Sequence, residues 1–398
     1  MQAASDKSRW SSATERMCRR IDRNLNVLDS EFPHWASSQT GAWTTTRDGD
    51  WTGGAWPGIL WLTANRTGHT KYLDAARLWS SRLKPRARLQ TAFKGFGFYY
   101  GAALGDLLCE DKDAAGIALQ AAASLKGQFD PRLSLISLGG DAEESEDVGN
   151  SFSSIDSLQA TPLLFWAAQK AGDATYADVV TRHTSRVLDI HMRSDGSIVQ
   201  SSELDPGTGR VVRHFTHKGF ADDSVWGRAQ AWGMVYTAIA LAHRPQEMRW
   251  MEQLLKGADW WLAHVPPHMV AFWDFNDPAI PNAETDTAAT SIACSALLKL
   301  AELAPSADLR AKYRGAGERT AAALVEGFLT PIGHSDSRPE GMLVGACFNK
   351  RRDARVQDSA TLSRRPTNIM PTVKFSWKRK PQCDVVVCRA PTLETPWH

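Results

Sequence analysis

Neither sign of charge dominates this sequence: 46 lysines and arginines face 44 aspartates and glutamates, a formal net charge of +2. That balance offers no field for nucleic acid or for an anionic membrane surface, so any preference for an anion must be local. Long apolar runs are missing as well. No stretch reaches the roughly 18 residues of a membrane span, and Met1 to Trp10 lacks the apolar segment of a secretory signal. A soluble, cytoplasmic protein is expected. Cysteine is sparse: Cys18, Cys109, Cys294 and Cys347 stand singly among apolar neighbours, with Cys383 and Cys388 near the end. Neither a disulfide framework nor a zinc-ligand spacing can be built from them. Strand signals are few too. Only Ser197 to Ser202 and Arg210 to Phe215, flanking Asp205-Pro-Gly-Thr-Gly, read as a short hairpin.

What remains is helical. With 398 residues, 43% of them apolar, the chain can bury a large core. Residues 10 to 30 place Trp10, Met17, Ile21, Leu25 and Leu28 at helical spacing. An internal repeat follows: Gly58 to Asp74 resembles Pro162 to Asp178 position by position, at an offset of 104 residues. Each copy predicts a helix, a glycine turn at Gly68 or Gly172, and a second helix opened near a Tyr and an Asp. The offset equals two units of about 52 residues, and Phe98 to Leu125 supplies the hairpin between them. Downstream, Arg228 to His243 pairs with Gln246 to His264, and Ala288 to Leu303 with Ala307 to Leu329. About six such hairpins in a circle make a closed double ring, an (α/α)6 barrel, with the inner helices starting at one rim.

The loops ahead of the inner helices hold the unusual residues. Sixteen tryptophans are roughly three times average usage, and indole faces suit sugar rings. Trp51, Lys94, Asp156 and the run Thr216 to Trp232 all fall in such loops or at helix starts. Asp156 precedes Pro162, tolerated in a first helical turn, and the apolar Leu163, Leu164, Phe165 and Trp166. A carboxyl group held there gains a raised pKa from burial, as a general acid near neutral pH requires. Its plainer reading is an N-cap. Arg228 between Trp226 and Trp232 reads either as a carboxylate fork or as an arginine stacked on indole for stability.

Together these residues resemble the unsaturated glucuronyl hydrolases, glycoside hydrolase family 88, from about residue 10 to Thr361. The resemblance is carried by Asp50-Trp-Thr-Gly-Gly-Ala-Trp-Pro-Gly-Ile-Leu-Trp-Leu, by Ile155-Asp156 with Pro162-Leu-Leu-Phe-Trp-Ala, by Thr216-His217, by Trp226-Gly-Arg-Ala-Gln-Ala-Trp232 and by Val270-Ala-Phe-Trp-Asp-Phe275. It implies an (α/α)6 barrel and no metal or organic cofactor. The implied substrate is the 4,5-unsaturated uronic acid that polysaccharide lyases leave at the non-reducing end of oligosaccharides. In the implied chemistry a carboxyl group protonates C4 and then, as a base, directs water to C5; the hydrated sugar opens and releases its neighbour. Asp156 matches the acid/base position and Arg228 a substrate-binding arginine. Trp51, Trp226 and Trp232 match aromatic positions, with Thr216, His217 and Lys218 on the polar edge of the sugar.

Two departures concern the site. Where the family has His-Asp before a Gly-Phe pair, this chain reads Lys94-Gly95-Phe96-Gly97-Phe98, without the second carboxylate. The Gln that follows Thr-His in the family is Lys218. The two lysines suit an anionic sugar. A non-catalytic carbohydrate-binding protein, or a sugar isomerase or epimerase on the same barrel, stand as alternatives; the isomerase predicts a pair of histidines at the mouth. The last 37 residues, 362–398, carry Pro366, Pro371, Pro381 and Pro391 among basic clusters, which forbids a long closing helix and reads as an irregular tail beyond a 1–361 barrel domain.

Overall fold

Helices buried on every side alternate along the chain with helices buried on one side, and the alternation builds two concentric rings. The computed structural model describes residues 2–37, 41–143, 145–148, 152–330 and 341–350. The expected boundary at Thr361 and the tail after it lie outside these residues. In chain order the helices are α1 (Gln2–Val27), α2 (Ala55–Thr67), α3 (Thr70–Arg82), α4 (Lys94–Phe98), α5 (Leu104–Cys109), α6 (Lys112–Lys126) and α7 (Ser145–Val148). Then follow α8 (Ala160–Ala171), α9 (Ala174–His191), α10 (Gly227–His243), α11 (Met248–His264), α12 (Thr287–Leu303) and α13 (Ala307–Gly327). A π-turn at Tyr99–Ala103 joins α4 to α5, so the two act as one inner helix.

The inner ring is α2, α4 with α5, α8, α10 and α12. Fifteen of the seventeen residues of α10 and fourteen of the seventeen of α12 are buried, with alanine and glycine letting the helices approach closely. Neighbours in this ring pack in sequence, α2 on α5, α4 on α8, α8 on α10 and α10 on α12. Each inner helix is backed by the amphipathic helix that follows it. α1 lies between α13 and α3: Arg16 Nη2 donates to the Leu329 carbonyl at 2.6 Å, and Asp22 accepts from Lys71 and Tyr72 of α3. Between α12 and α2 lies a small cavity lined by Asn24, Trp56, Ile59, Thr287, Ala288 and Met342.

The repeat seen in the sequence is α2–α3 against α8–α9. Pro57 and Pro162 sit in first turns, where no backbone N–H is required, and Gly68 (φ 70°) and Gly172 (φ 64°) end the helices in the left-handed conformation that glycine adopts without strain. The expected hairpin forms, and a third antiparallel strand joins it. β5 (Phe152–Ser154) pairs with β6 (Ser201–Leu204), which pairs with β7 (Val211–Phe215). Three residues are too short a run for alternation to reveal β5. Two small hairpins complete the strands: β1 (Phe32–Ala36) with β2 (Trp43–Thr46), and β3 (Phe129–Asp130) with β4 (Leu135–Ile136). One continuous apolar core extends from Ile21 to Cys347. Among the described residues, no helix is long and apolar enough to cross a membrane.

Candidate functional site

Trp51, Lys94, Asp156, Trp226 and Arg228 lie in or just ahead of the first turns of α2, α4, α8 and α10, Thr216 to Lys218 follow β7, and Trp232 is in the second turn of α10. Asp156 sits in a 3-10 turn, Ile155–Gln159, between β5 and α8. The cap of that turn is Ser154: its Oγ accepts from the Asp156 N–H at 3.2 Å and donates to Asp156 Oδ2 at 3.0 Å. The capping duty falls on the serine and the carboxylate is not consumed by it. Asp156 is 3% exposed. Behind the turn, His183 is wholly buried; its Nδ1 accepts from the Ile136 N–H at 3.0 Å, so its Nε2 carries the proton and donates to the Ser157 carbonyl at 3.0 Å. Burial holds the His183 pKa down at about 4, partly offset by that bond. The turn therefore rests on a neutral imidazole.

Gln200, which no sequence signal had marked, is the hub. Its Nε2 donates to Asp156 Oδ2 at 3.2 Å, while its Oε1 accepts from Thr216 Oγ1 at 2.7 Å, from the Lys218 N–H at 3.0 Å and from the His217 N–H at 3.3 Å. Two backbone donors on one oxygen fix which way the amide points. Gln200 Nε2 also lies 3.2 Å from His217 Nε2, and His217 Nδ1 lies 3.0 Å from Ser201 Oγ. Thr216, His217 and Lys218 are thus brought to Asp156 through one side chain. Asp274, fully buried, secures the loop after them by accepting from Ser224 Oγ at 2.6 Å and from the Phe220 N–H at 2.8 Å. Burial raises its pKa against those bonds.

The aromatic residues meet around a residue the sequence had not singled out, Phe348. Trp51 stacks on it at 5.9 Å between centroids, and Trp226 meets it edge-on at 5.7 Å and donates from Nε1 to its carbonyl at 3.1 Å. Lys218 Nζ and the Arg228 guanidinium lie over the same ring, 5.2 and 4.7 Å from its centroid. Trp232 lies deeper, stacked on Tyr236 at 5.3 Å and edge-on to Phe96 at 6.3 Å. The fork of Arg228 is met from within the chain: Nε and Nη2 donate to Asp286 Oδ2 and Oδ1 at 2.7 and 3.2 Å, both residues buried. The sequence had not marked Asp286.

Lys94 goes elsewhere. Its Nζ donates to Ser124 Oγ at 2.6 Å on α6 rather than to the Asp156 group, and burial, opposed by Asp141, lowers its pKa to about 8. The lysine expected at the sugar edge is therefore directed to the outer ring, at the last turn of α6, where the helix dipole favours a cation. At Gly95 a Cβ would lie 2.0 Å from the Gln159 carbonyl oxygen and 2.5 Å from the Ala160 Cα. Absence of the second carboxylate is thus coupled to a close approach of α4 to the Asp156 turn. Among the described residues, no three or more His, Cys, Asp or Glu gather as they would to hold a metal ion. The arrangement offers one buried, polar-lined carboxyl group beside an aromatic and cationic wall, which suits proton transfer to a bound ring.

No protein-family model matches the chain. It is 30% identical over 334 residues to the unsaturated glucuronyl hydrolase of Bacillus sp. (strain GL1), covering 83% of this chain and 87% of that protein. It is 26% identical over 309 residues to the unsaturated chondroitin disaccharide hydrolase of Streptococcus pneumoniae (strain ATCC BAA-255 / R6), covering 76% of each. An Asp-to-Asn variant of an unsaturated glucuronyl hydrolase, solved with dGlcA-Glc-Rha-Glc, superposes with a TM-score of 0.80 at 27% identity, over 86% of this chain and 91% of that one. Order, spacing and barrel agree, and the chain belongs to the unsaturated glucuronyl hydrolase family.

Proposed function

We propose that this protein removes 4,5-unsaturated uronic acid from the non-reducing end of lyase-generated oligosaccharides by hydrating the C4=C5 double bond, with Asp156 as the acid and then the base. The observation that carries this reading is the placement of Asp156: buried, relieved of capping by Ser154, and tied by Gln200 to Thr216, His217 and Lys218. The carboxyl group protonates C4, and the carboxylate then draws a proton from the water that adds at C5. Lys218 supports recognition of the sugar's carboxylate, and Trp51, Trp226 and Trp232 with Phe348 form the wall against which the sugar rests. Arg228 acts there through its face and its remaining N–H groups, since Asp286 holds the other two. Free cysteines Cys18, Cys109, Cys294 and Cys347 support a reducing compartment, and the cytoplasm is the proposed site of action.

One observation favours a second reading, a protein that binds the sugar without turning it over: Gly95 provides no second carboxylate. A single measurement separates the two. The unsaturated bond absorbs in the ultraviolet, and the absorbance of a lyase-generated unsaturated disaccharide is followed with the parent protein and with Asp156→Asn. Loss with the parent and at least a roughly 1,000-fold slower loss with the variant, at unchanged circular dichroism, is the expected outcome. An Asp156→Asn protein with full activity overturns the assignment. Saturable binding with no loss of absorbance by the parent establishes the second reading.

A further inference from the structure

The inner face of α10 carries three large side chains one turn apart, Arg228, Trp232 and Tyr236. The third has no place in the chemistry above. Its ring stacks on Trp232 with planes 12° apart, it is wholly buried, and its hydroxyl has no hydrogen-bond partner among the described residues. Burial first, then the neighbouring Tyr100 and Asp156, hold the phenolic proton in place well beyond the ordinary range. A second orphan lies in the 3-10 turn, which packs against α10. Gln159 follows Asp156 by three residues in the 3-10 turn, which sets the two side chains on one face, and its buried Oε1 is likewise without a partner.

A buried hydroxyl without a partner destabilises a fold by an amount comparable to a lost hydrogen bond, and such groups are rare enough that each one calls for a cause. Here one of them, Tyr236, neighbours the one carboxyl group the reaction needs, and the other, Gln159, follows that group by three residues in the same turn.

We infer that Tyr236 is a positioning residue for the hydration step, its hydroxyl holding the water that Asp156 directs to C5. This rests on the reading of Asp156 as acid and base. In that step the Asp156 carboxyl gives its proton to C4 as the π bond is consumed. The carboxylate then takes a proton from the water, the water oxygen bonds to C5, and Asp156 returns to the acid form. Tyr236 begins and ends as a neutral hydroxyl, orienting the water through a hydrogen bond. Gln159 Oε1 is placed to accept the water's second proton in a hydrogen bond.

The test is Tyr236→Phe, which keeps the ring and its stack on Trp232 and removes only the hydroxyl. Turnover of the unsaturated disaccharide is measured beside the parent and Asp156→Asn, together with the thermal midpoint of each. The expected result is a kcat about tenfold lower or more with KM within about twofold of the parent, the pattern of an interaction made only on the way to the transition state. The thermal midpoint is expected to hold or rise, because no folded-state hydrogen bond is lost. A kcat within about twofold of the parent overturns the inference and leaves Asp156 standing if Asp156→Asn is inactive. A lower kcat accompanied by a lower midpoint assigns Tyr236 to the core and also overturns it. If the parent itself leaves the double bond intact, the proposed function and this inference fall together.

Discussion

Asp286 serves three neighbours at once: its two oxygens take Nε and Nη2 of Arg228, and Oδ1 also accepts from the Ala288 N–H at 3.2 Å and the Cys347 N–H at 3.3 Å. It thereby ties α10, the start of α12 and the strand of chain that presents Phe348. The sequence left Asp286 unmarked, because a local pattern does not reveal a partner 58 positions earlier. Asp286→Asn leaves a buried guanidinium without its counter-charge, and the expected cost is about 3 kcal/mol or more. Urea unfolding reads this as a lowered midpoint; a midpoint equal to the parent's contradicts the account. Asp156, Trp226 and Arg228 were legible because unusual residue types cluster at helix starts. Gln200, Phe348 and Tyr236 were not, since a polar residue in a strand or an aromatic in a buried stretch has an ordinary structural use.

At the scale of elements, the junction of α4 with the turn into α8 is the most constrained contact near the site. Gly95 brings the α4 backbone against the Gln159 carbonyl, and the contact on the other side is backbone, which cannot swing away as a side chain can. Gly95→Asp, the substitution that writes the family's missing carboxylate into this chain, is expected to be destabilising by several degrees in thermal midpoint and to raise activity not at all. A variant that matches the parent in midpoint and gains activity shows that the two helices can part at no cost. The sequence showed that a carboxylate was missing there; only the packing shows why it cannot simply be restored. In the same way the hairpin repeat announced α2–α3 and α8–α9 through Gly68 and Gly172, while the partner of β6 stayed hidden because β5 is three residues long.

For the whole molecule, the hairpin repeat at an offset of 104 residues was enough to foresee the double ring. The scaffold is nonetheless vulnerable to acid. His183 and His191 are buried and neutral, with pKa values held down by desolvation to about 4 and about 3; His191 donates from Nδ1 to the Val199 carbonyl and accepts from Ser153. In the unfolded chain both titrate near 6.5, so from there down to about 4 the unfolded state binds the extra protons. Stability is full above that range and falls through it, by about 3 kcal/mol for each histidine. Unfolding midpoints measured from pH 7 to pH 4 are expected to drop, less steeply in His183→Gln than in the parent. A midpoint flat across this range refutes the role given to the two histidines.

The meeting of helix starts at the site has one more consequence. The first turns of α10 and α12 are joined by the Arg228–Asp286 pair and α8 opens behind Asp156, so the positive ends of these three helix dipoles, each equivalent to roughly half a unit charge, lie beside the candidate site. The molecule is nearly neutral from a distance and holds no long-range pull on its substrate. Attraction begins at the mouth, and the backbone's share of it comes from atoms that cannot be titrated or swung aside. An acidic group at the mouth is thus met by a field built into the architecture.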